Sequence, residues 1–224
     1  MKKLSIYFAG TIAKNHEILE SKWTEEDFSF LQKKLRPHSL LFLNPAQRSD
    51  DLSDQTSVFG RDMSQVFLAD VVFVDARHRR GLGVGAEMMW AKFHAKPLVV
   101  LAPEDTHYRK ANTEILGTHI TEYVHPFVHN LSDSIVTSLE EGAAWILRWI
   151  SGDVAPIKDL TNIYDAMRHY QHTQYNHDYP MRELISSCAY LQKSFKEIPS
   201  LFNSLIIREL LSSGFGQKKS SGVA

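Results

Sequence analysis

Glu87 is the residue whose type and position point first to chemistry. It follows three glycines at alternating positions, Gly81, Gly83 and Gly85, in the segment GLGVGAE. Glycines let a ligand approach the backbone closely, and the positive end of the helix dipole keeps a carboxylate in a first helical turn ionised. An ionised carboxylate beside a bound ligand can act as a nucleophile. Glu87 is therefore the first candidate for a catalytic residue.

The segments on either side of Glu87 predict a βαβ unit. Val71 to Val74 is an apolar run typical of a strand that is buried on both faces of a parallel sheet, and Leu98 to Leu101 is a second such run. Between them, Ala86 to Ala95 carries helix formers with apolar residues at helical spacing, and Pro97 stops the helix. Open parallel sheets bind ligands beyond the carboxyl ends of their strands. The glycine turn and Glu87 should therefore lie at the ligand-binding edge of a sheet.

Charge and composition indicate an ordinary globular protein. The 224 residues have a net charge of −1 and are 43% apolar, so no bulk electrostatic attraction draws the chain to nucleic acid or to a membrane. No apolar run approaches the roughly 20 residues of a membrane span, and the amino-terminal residues lead into a strand pattern where a signal peptide would have its apolar region. The single Cys188 excludes an intramolecular disulfide, which favours a cytoplasmic location. The expected partners are small molecules or other subunits.

The first half of the chain predicts two further strands with their helices. Leu4 to Ala9 and Leu40 to Leu43 are apolar strand patterns, and Trp23 to Leu35 predicts an amphipathic helix with Thr24 as its N-cap. The acidic, polar residues 47–57 form either a lid beside a site or a solvated surface loop.

A second carboxylate lies on the next predicted helix. Val58 to Leu68 has apolar residues spaced to face the sheet, with Asp62 in its first turn. An aspartate in that position is commonly a helix cap, so the residue type alone leaves a structural and a chemical role open.

The residues after Leu101 predict the last strand of the sheet and the helices next to it. Ala111 to Leu116 is expected to be a short helix, His119 to Val124 a fifth strand, and Ser132 to Ile150 a helix with Ser132 as its N-cap. Together these patterns predict an α/β fold with a five-stranded doubly wound parallel sheet, Rossmann-like or flavodoxin-like, over residues 1–150.

Beyond residue 150 the strand patterns stop. Residues 151–156 read as a linker, and residues 157–213 as a helical appendage with helices at Asp159 to Tyr170, Met181 to Lys193 and Ser200 to Ser212. Residues 214–224 have the composition of a disordered tail.

Four short motifs carry a resemblance to a known family. They are IYFAG at residues 6–10, the interval from Asp62 to ADVV at residues 69–72, GVGAE ending at Glu87, and KPLVV from Lys96. In this order, over roughly the first 125 residues, the chain resembles the nucleoside 2-deoxyribosyltransferase superfamily, which includes the Rcl-type 2′-deoxynucleoside 5′-monophosphate N-hydrolases. The helical segment after residue 156 has no counterpart in that family.

The resemblance implies roles for three residues. Glu87 would attack C1′ of the sugar, releasing the base and leaving a glycosyl-enzyme that water or a second base resolves. Asp62 would be the acid/base group for the departing base, and Tyr7 would lie beside the nucleophilic carboxylate. One ionised nucleophile and one proton-carrying carboxyl are what retaining glycoside cleavage needs, at a carboxyl separation of roughly 5 Å.

The resemblance and the strand-end positions together predict the substrate contacts. Asn112 lies at the offset from Glu87 where the transferases donate an asparagine to the neighbouring subunit, so a homodimer or higher homo-oligomer is expected. Gly81 departs from the family, which has an aspartate or a phosphate-binding serine at that position. The basic segment 77–80 either binds a phosphate or is a solvated loop. The predicted substrate-binding residues are Gly10, Thr11, Asp75, Arg80, Gly81, Gly83, Gly85 and Asn112.

Other functional classes fit the residues less well. The glycine segment lacks the third glycine of a dinucleotide fingerprint. The spacing of His169, His172 and His177 is no familiar metal signature, so a polar loop is expected there and no metal or organic cofactor. Three interpretations stay open: cleavage of a 2′-deoxynucleoside or its 5′-monophosphate, a nucleotide-binding sensor without catalysis, and a glycohydrolase of a ribonucleotide or NAD.

Overall fold

A computed structural model describes residues 2–10 and 23–198 of the chain. Within these ranges the chain divides into two compact units, with the boundary between Asp159 and Leu160. The predicted helix at 200–212 and the predicted tail lie outside the described residues.

The first unit is built on a parallel sheet of five strands. The strands of the first unit are β1 (Lys3–Ala9), β2 (Ser39–Leu43), β3 (Val71–Asp75), β4 (Leu98–Leu101), β5 (Arg109–Ile115), β6 (Thr118–Val124) and β7 (Ser134–Val136). The order in the main sheet is β2-β1-β3-β4-β7, and all four strand pairs are parallel. The five-stranded doubly wound parallel α/β fold expected from the sequence is confirmed.

Five helices belong to this unit as the structure describes it. Helices α1 and α5 pack against each other and α2 packs against α3, so the two pairs cover opposite faces of the sheet. The α1 helix begins at the predicted cap, where Thr24 and Asp27 exchange two backbone-to-side-chain hydrogen bonds of 3.1 Å. The helices are α1 (Glu25–Lys34), α2 (Gln55–Leu68), α3 (Leu82–Phe93), α4 (Pro126–Leu131) and α5 (Leu139–Ser151).

The alternation of side chains along β1 separates the core from the site. Leu4, Ile6 and Phe8 point into the apolar core under α1 and α5, while Tyr7 between them points to the other face. The core is completed by the close approach of α5, where Gly142 lies so near Phe73 that a β-carbon on the glycine would fall 2.4 Å from Phe73 Cζ.

Three expectations for residues 102–150 are wrong. Residues 111–116 are not helical, because residues 111–115 belong to β5, which pairs antiparallel with β6 in a separate two-stranded hairpin, and Leu116 lies in the turn between the two strands. His119–Val124 is therefore a strand, but the fifth strand of the main sheet is β7. The long final helix begins later than expected, with Ser138 as its N-cap and not Ser132, since residues 126–136 first form α4 and β7.

The second unit is helical in its described part. It contains α6 (Leu160–Thr173), a 3₁₀ turn at Tyr175–His177, α7 (Tyr179–Ser186) and α8 (Ala189–Lys196). The single helix expected at 181–193 is divided in two, because the chain leaves α7 at Ser187 and starts again with Cys188 as the N-cap of α8. Over the ranges that the structure describes, no helix is long and apolar enough to span a membrane.

Candidate active site

Glu87 lies in the second turn of α3, one turn further in than the sequence predicts. The helix begins at Leu82 with Gly81 as its N-cap, so Gly83 and Gly85 are helical residues and do not form a turn before it. Glu87 is the sixth residue of the helix and its side chain is buried, with 8% of the residue exposed. The glycines leave open space around the first turn, since a β-carbon on any of the three would have no atom within 4 Å.

Tyr7 reaches Glu87 from the sheet. The tyrosine sits on β1, next to Val72 of β3, and has no exposed surface. Its hydroxyl is close enough to Glu87 to lower the pKa of that carboxyl, yet neither Tyr7 Oη nor Glu87 Oε2 completes a hydrogen bond with another described residue. Burial and the neighbouring carboxyl raise the pKa of Tyr7 well above its usual range, so the phenol keeps its proton.

The carboxyl of Glu87 is a weak acid in this environment. Burial raises its pKa to about 7, the Tyr7 hydroxyl lowers it in part, and the charge of Asp62 raises it further. The expectation that the helix dipole keeps Glu87 ionised is therefore wrong at acidic pH, because the loss of water outweighs a dipole whose end lies a turn away. At slightly alkaline pH the carboxylate form predominates.

Asp62 is the second carboxyl of the cluster, and it is not a helix cap. Helix α2 begins at Gln55 with Asp54 as its N-cap, so Asp62 lies in the middle of the helix. Its side chain is mostly buried, 15% exposed, and it faces Arg48 at 3.6 Å and Arg61 at 3.4 Å. Burial raises the pKa of Asp62 above its ordinary value, while the two guanidinium groups lower it.

Arg48 and Arg61 were not singled out from the sequence, although the polar segment that carries Arg48 was. Arg48 and Asp50 follow β2 in the polar segment that was expected to be a lid or a solvated loop, and they form a bidentate ion pair at 2.6 and 2.9 Å. Alternating arginines and aspartates in the segments RSDD and RD were the available signal. An open cleft of about 400 Å³ lies here, lined by Gln47, Arg48, Ser49, Asp50 and Arg61.

Asp75 is part of a different cluster. It has no exposed surface, and it accepts bonds from Arg77 Nε at 3.0 Å and pairs with Arg80 Nη2 at 2.7 Å. Arg77 also pairs with Asp27 at 2.9 Å. The structure thus places Asp75 and Arg80 in an ion-paired network at the end of β3. Of the basic segment, Arg79 is exposed and has no ion pair with another described residue.

The remaining predicted contacts are distributed over several elements of the first unit. Gly10 follows β1, and a β-carbon there would lie 3.2 Å from Trp23 Cδ1. Asn112 is exposed on β5, opposite Thr121, whereas Glu87 is buried. Thr11 lies outside the described residues. Gly81, Gly85 and Arg80 line a second cavity of about 270 Å³, which is also lined by His107, Tyr108 and His125.

The cluster can carry out acid, base and nucleophilic chemistry without a metal. In the part of the chain that the structure describes, no three histidine, cysteine or acidic side chains are placed to hold an ion. Two carboxyl groups with different surroundings and a permanently protonated tyrosine are arranged where a proton donor and a carboxylate nucleophile can act together.

Fold and site together define an α/β protein with a two-carboxyl site on one face of a parallel sheet. Among solved structures, the chain is similar to a 2-deoxyribosyltransferase from the psychrotolerant bacterium Bacillus psychrosaccharolyticus, described as a biocatalyst for nucleoside synthesis. The two are 14% identical, the similarity covers 69% of this chain and 98% of the other, and the TM-score is 0.43. No family model and no curated protein matches the sequence.

Proposed function

We propose that the protein cleaves the N-glycosidic bond of a 2′-deoxynucleoside or its 5′-monophosphate. The observation that carries the proposal is the pairing of a buried glutamate, whose pKa is about 7, with a second carboxyl and a buried tyrosine hydroxyl. A buried carboxyl without a cation is costly for the fold, so it is retained where chemistry needs it. We assign 2′-deoxyribose as the substrate sugar because the motifs around Tyr7, Asp62 and Glu87 resemble those of the nucleoside 2-deoxyribosyltransferase superfamily.

The first step forms a covalent bond to the enzyme. A Glu87 carboxylate oxygen attacks C1′, the bond from C1′ to the base nitrogen breaks, and the electron pair leaves with the base. The proton of Asp62 passes to that nitrogen or to a conjugated position of the base. The product is a glycosyl ester of Glu87 and a neutral free base.

The second step restores the enzyme. Asp62, now a carboxylate, takes a proton from water as the water oxygen bonds to C1′ and the ester bond to Glu87 breaks. Hydrolysis releases the free sugar, and a second base in place of water would give a new nucleoside. Because each carboxyl ends in its starting state, the cycle needs no cofactor.

The surroundings of each group suit its role in this cycle. Tyr7 keeps its proton and can donate to the Glu87 carboxylate, which holds one oxygen while the other attacks. A polar cleft of about 400 Å³, within the size range of small-molecule sites, is lined by Arg48 and Arg61, the two arginines that contact Asp62.

A base-release assay tests the proposal. The protein is incubated with deoxynucleosides, their 5′-monophosphates, ribonucleotides and NAD, each with and without a second base, and free base is measured by chromatography. Glu87→Gln keeps the side-chain shape and should abolish release, while Glu26→Gln, an exposed glutamate in the first turn of α1, is the matched control and should leave it intact.

Two results decide between the interpretations. Release that requires Glu87 supports the proposal, and the preferred substrate identifies the sugar and the phosphate state. Binding of a substrate without release by the wild-type protein would overturn it in favour of a sensor. The homo-oligomer stays a prediction, which sedimentation of the full chain tests.

A further inference from the structure

Arg48 is shared between two carboxylates that belong to different elements. It lies in the loop after β2 with only 8% of its side chain exposed. Its Nη2 and Nε contact Asp50 at 2.6 and 2.9 Å, and its Nη1 lies 3.6 Å from Asp62 Oδ2 on α2. One guanidinium therefore faces a neighbour in its own loop on one side and the proposed proton donor on the other.

Arg61 holds that loop against α2. Its Nη2 donates to the Gln47 carbonyl at 2.6 Å and its Nη1 to the Pro45 carbonyl at 3.4 Å. The same guanidinium lies 3.4 Å from Asp62 and 3.7 Å from Asp50. Because the loop backbone is bound in this way, the position of Arg48 relative to Asp62 is fixed by the fold.

The charges around Asp62 act in opposite directions. Arg48 and Arg61 lower its pKa, and Asp50 raises it together with burial. From the sheet and α3, Tyr7 and Glu87 face the same space, and both respond to the charge of Asp62. The pKa of Asp50 is lowered to about 2 by its bond to Arg48, so Asp50 is ionised wherever the protein would act.

We propose that Arg48 is a positioning residue that controls when Asp62 carries a proton, by dividing its guanidinium between Asp62 and Asp50. The inference rests on the proposed function, in which Asp62 gives a proton to the departing base. Arg48 alone would hold Asp62 as a carboxylate. Asp50 draws part of that positive charge away and lets the protonated acid form.

Because Arg48 is divided between two carboxylates, removing Arg48 and removing Asp50 should have opposite effects on how tightly Asp62 binds its proton. Arg48→Gln takes away an attraction for the carboxylate form, so Asp62 should bind its proton more tightly. Asp50→Asn removes the competitor and its negative charge, so Arg48 should act on Asp62 alone and the proton should be held more weakly. A purely structural role for the pair would give no such opposition.

The experiment is a titration of carbon-13-labelled aspartate carboxyls by NMR, with the Asp62 signal assigned by its absence in Asp62→Asn. The midpoint of Asp62 should rise by about one pH unit or more in Arg48→Gln, the usual effect of removing an opposite charge at this range. It should fall in Asp50→Asn and stay near the wild-type value in Arg48→Lys, which keeps the charge. Arg148→Gln, an exposed arginine of α5 on the opposite face of the sheet, is the matched control and should leave the midpoint unchanged.

Midpoints that stay fixed, or that move in the same direction in both variants, would overturn the inference. If Arg48→Gln does not fold, Asp50→Asn decides alone: a fall supports the inference, and no change or a rise overturns it. Because a carboxyl midpoint is read without substrate, opposite shifts in a protein that releases no base would support the Arg48 inference while refuting the proposed function. Base release by a protein whose Asp62 midpoint does not move in either variant would support the proposed function and refute the Arg48 inference.

Activity gives a second readout. At pH values above both carboxyl midpoints, the rate is proportional to the fraction of Asp62 that is protonated. Base release there should increase about tenfold for each pH unit by which Arg48→Gln raises the midpoint, and it should decrease in Asp50→Asn. A decrease in both variants, with unchanged midpoints, would show that the pair only maintains the loop.

Discussion

Two buried carboxyl groups of the parallel sheet unit, Asp75 and Glu87, differ in how their charge is neutralised. Asp75 is fully buried and is held by Arg77 and Arg80 at 3.0 and 2.7 Å. Glu87 is almost as deeply buried, but it faces a neutral tyrosine hydroxyl and a second carboxyl, and its pKa is raised to about 7.

The difference separates a carboxylate that joins elements of the fold from one whose surroundings suit the proposed chemistry. A buried charge with two cationic partners joins the elements that supply the partners. A buried carboxyl without a cation can exist with or without its proton near neutral pH, and it destabilises the fold whenever it is charged. The first arrangement suits a scaffold and the second suits catalysis.

The largest expected effect is on activity, from Glu87→Gln. The amide cannot form a glycosyl ester, so kcat/KM for base release should fall by about 10⁴-fold or more, as for other lost nucleophiles. The measurement is the initial rate of base release on the preferred substrate. A variant that kept more than a tenth of the wild-type rate would show that Glu87 is not the nucleophile. The contrast between Asp75 and Glu87 would then have no bearing on catalysis.

Asp75→Asn should have the next largest effect, and it should fall on stability. The change leaves Arg77 and Arg80 without their buried partner, which typically costs about 3–5 kcal/mol. The free energy of unfolding in urea measures it. Glu87→Gln should change that free energy by less than about 1 kcal/mol at pH 5, where Glu87 is largely protonated. Equal losses in the two variants would contradict the distinction between the two carboxyls.

The pH dependence of stability should identify Glu87 as the buried carboxyl that has no cationic partner among the described residues. Its pKa in the folded protein is about 7 against an ordinary value of 4.5. A carboxyl whose folded pKa is raised contributes its stability fully below 4.5, and that contribution is lost as the pH rises through 7. The difference of 2.5 corresponds to about 3 kcal/mol.

Glu87→Gln should therefore gain stability relative to the wild type between pH 4.5 and 8, by about 3 kcal/mol in total. Denaturation of both proteins in urea at several pH values gives the difference directly, since the other titrating groups are common to both. A difference that did not change with pH would mean that Glu87 is ionised throughout.

Tyr7→Phe should have the smallest effect. Loss of the hydroxyl removes an interaction that lowers the pKa of Glu87, so that pKa should rise and kcat/KM at pH 7 should fall by about tenfold. A pH series of kcat/KM measures both changes. Tyr190→Phe, which alters a largely exposed tyrosine of α8, is the control for removal of a phenol elsewhere. An unchanged pH series in Tyr7→Phe would show that the Tyr7 hydroxyl does not influence the pKa of Glu87.

The parts of the fold that the sequence predicted correctly are those with local signals. The apolar runs of β1 to β4 and the capping residues of α1 depend on neighbours a few positions away. β7 has only three residues, too few for a recognisable strand pattern. The hairpin of β5 and β6 was misassigned in part because its pairing depends on a turn at Leu116 and Gly117, both with positive φ, and not on the composition of either strand.

The candidate site was predicted where strand ends and motifs mark it, and the roles of its residues stay predictions. Tyr7, Asp62 and Glu87 were named from the motif resemblance, and Glu87 also from its place after a strand. Arg48 and Asp50 lie in a loop without periodicity, so the only sequence signal for their contact with α2 was the alternation of arginine and aspartate in these segments. The raised pKa of Glu87 was not predictable either, because it depends on burial that only the packed structure defines.

The contact between Gly142 and Phe73 has a consequence for how this sequence can change over evolutionary time. A glycine inside a helix lowers helix stability by about 1 kcal/mol relative to alanine, yet a methyl group at position 142 would overlap the Phe73 ring. Alanine can become favourable there only after residue 73 has become smaller. The two positions should therefore covary among homologous chains. The smaller side chain should be at position 142 of the helix in some chains and at position 73 of the strand in others.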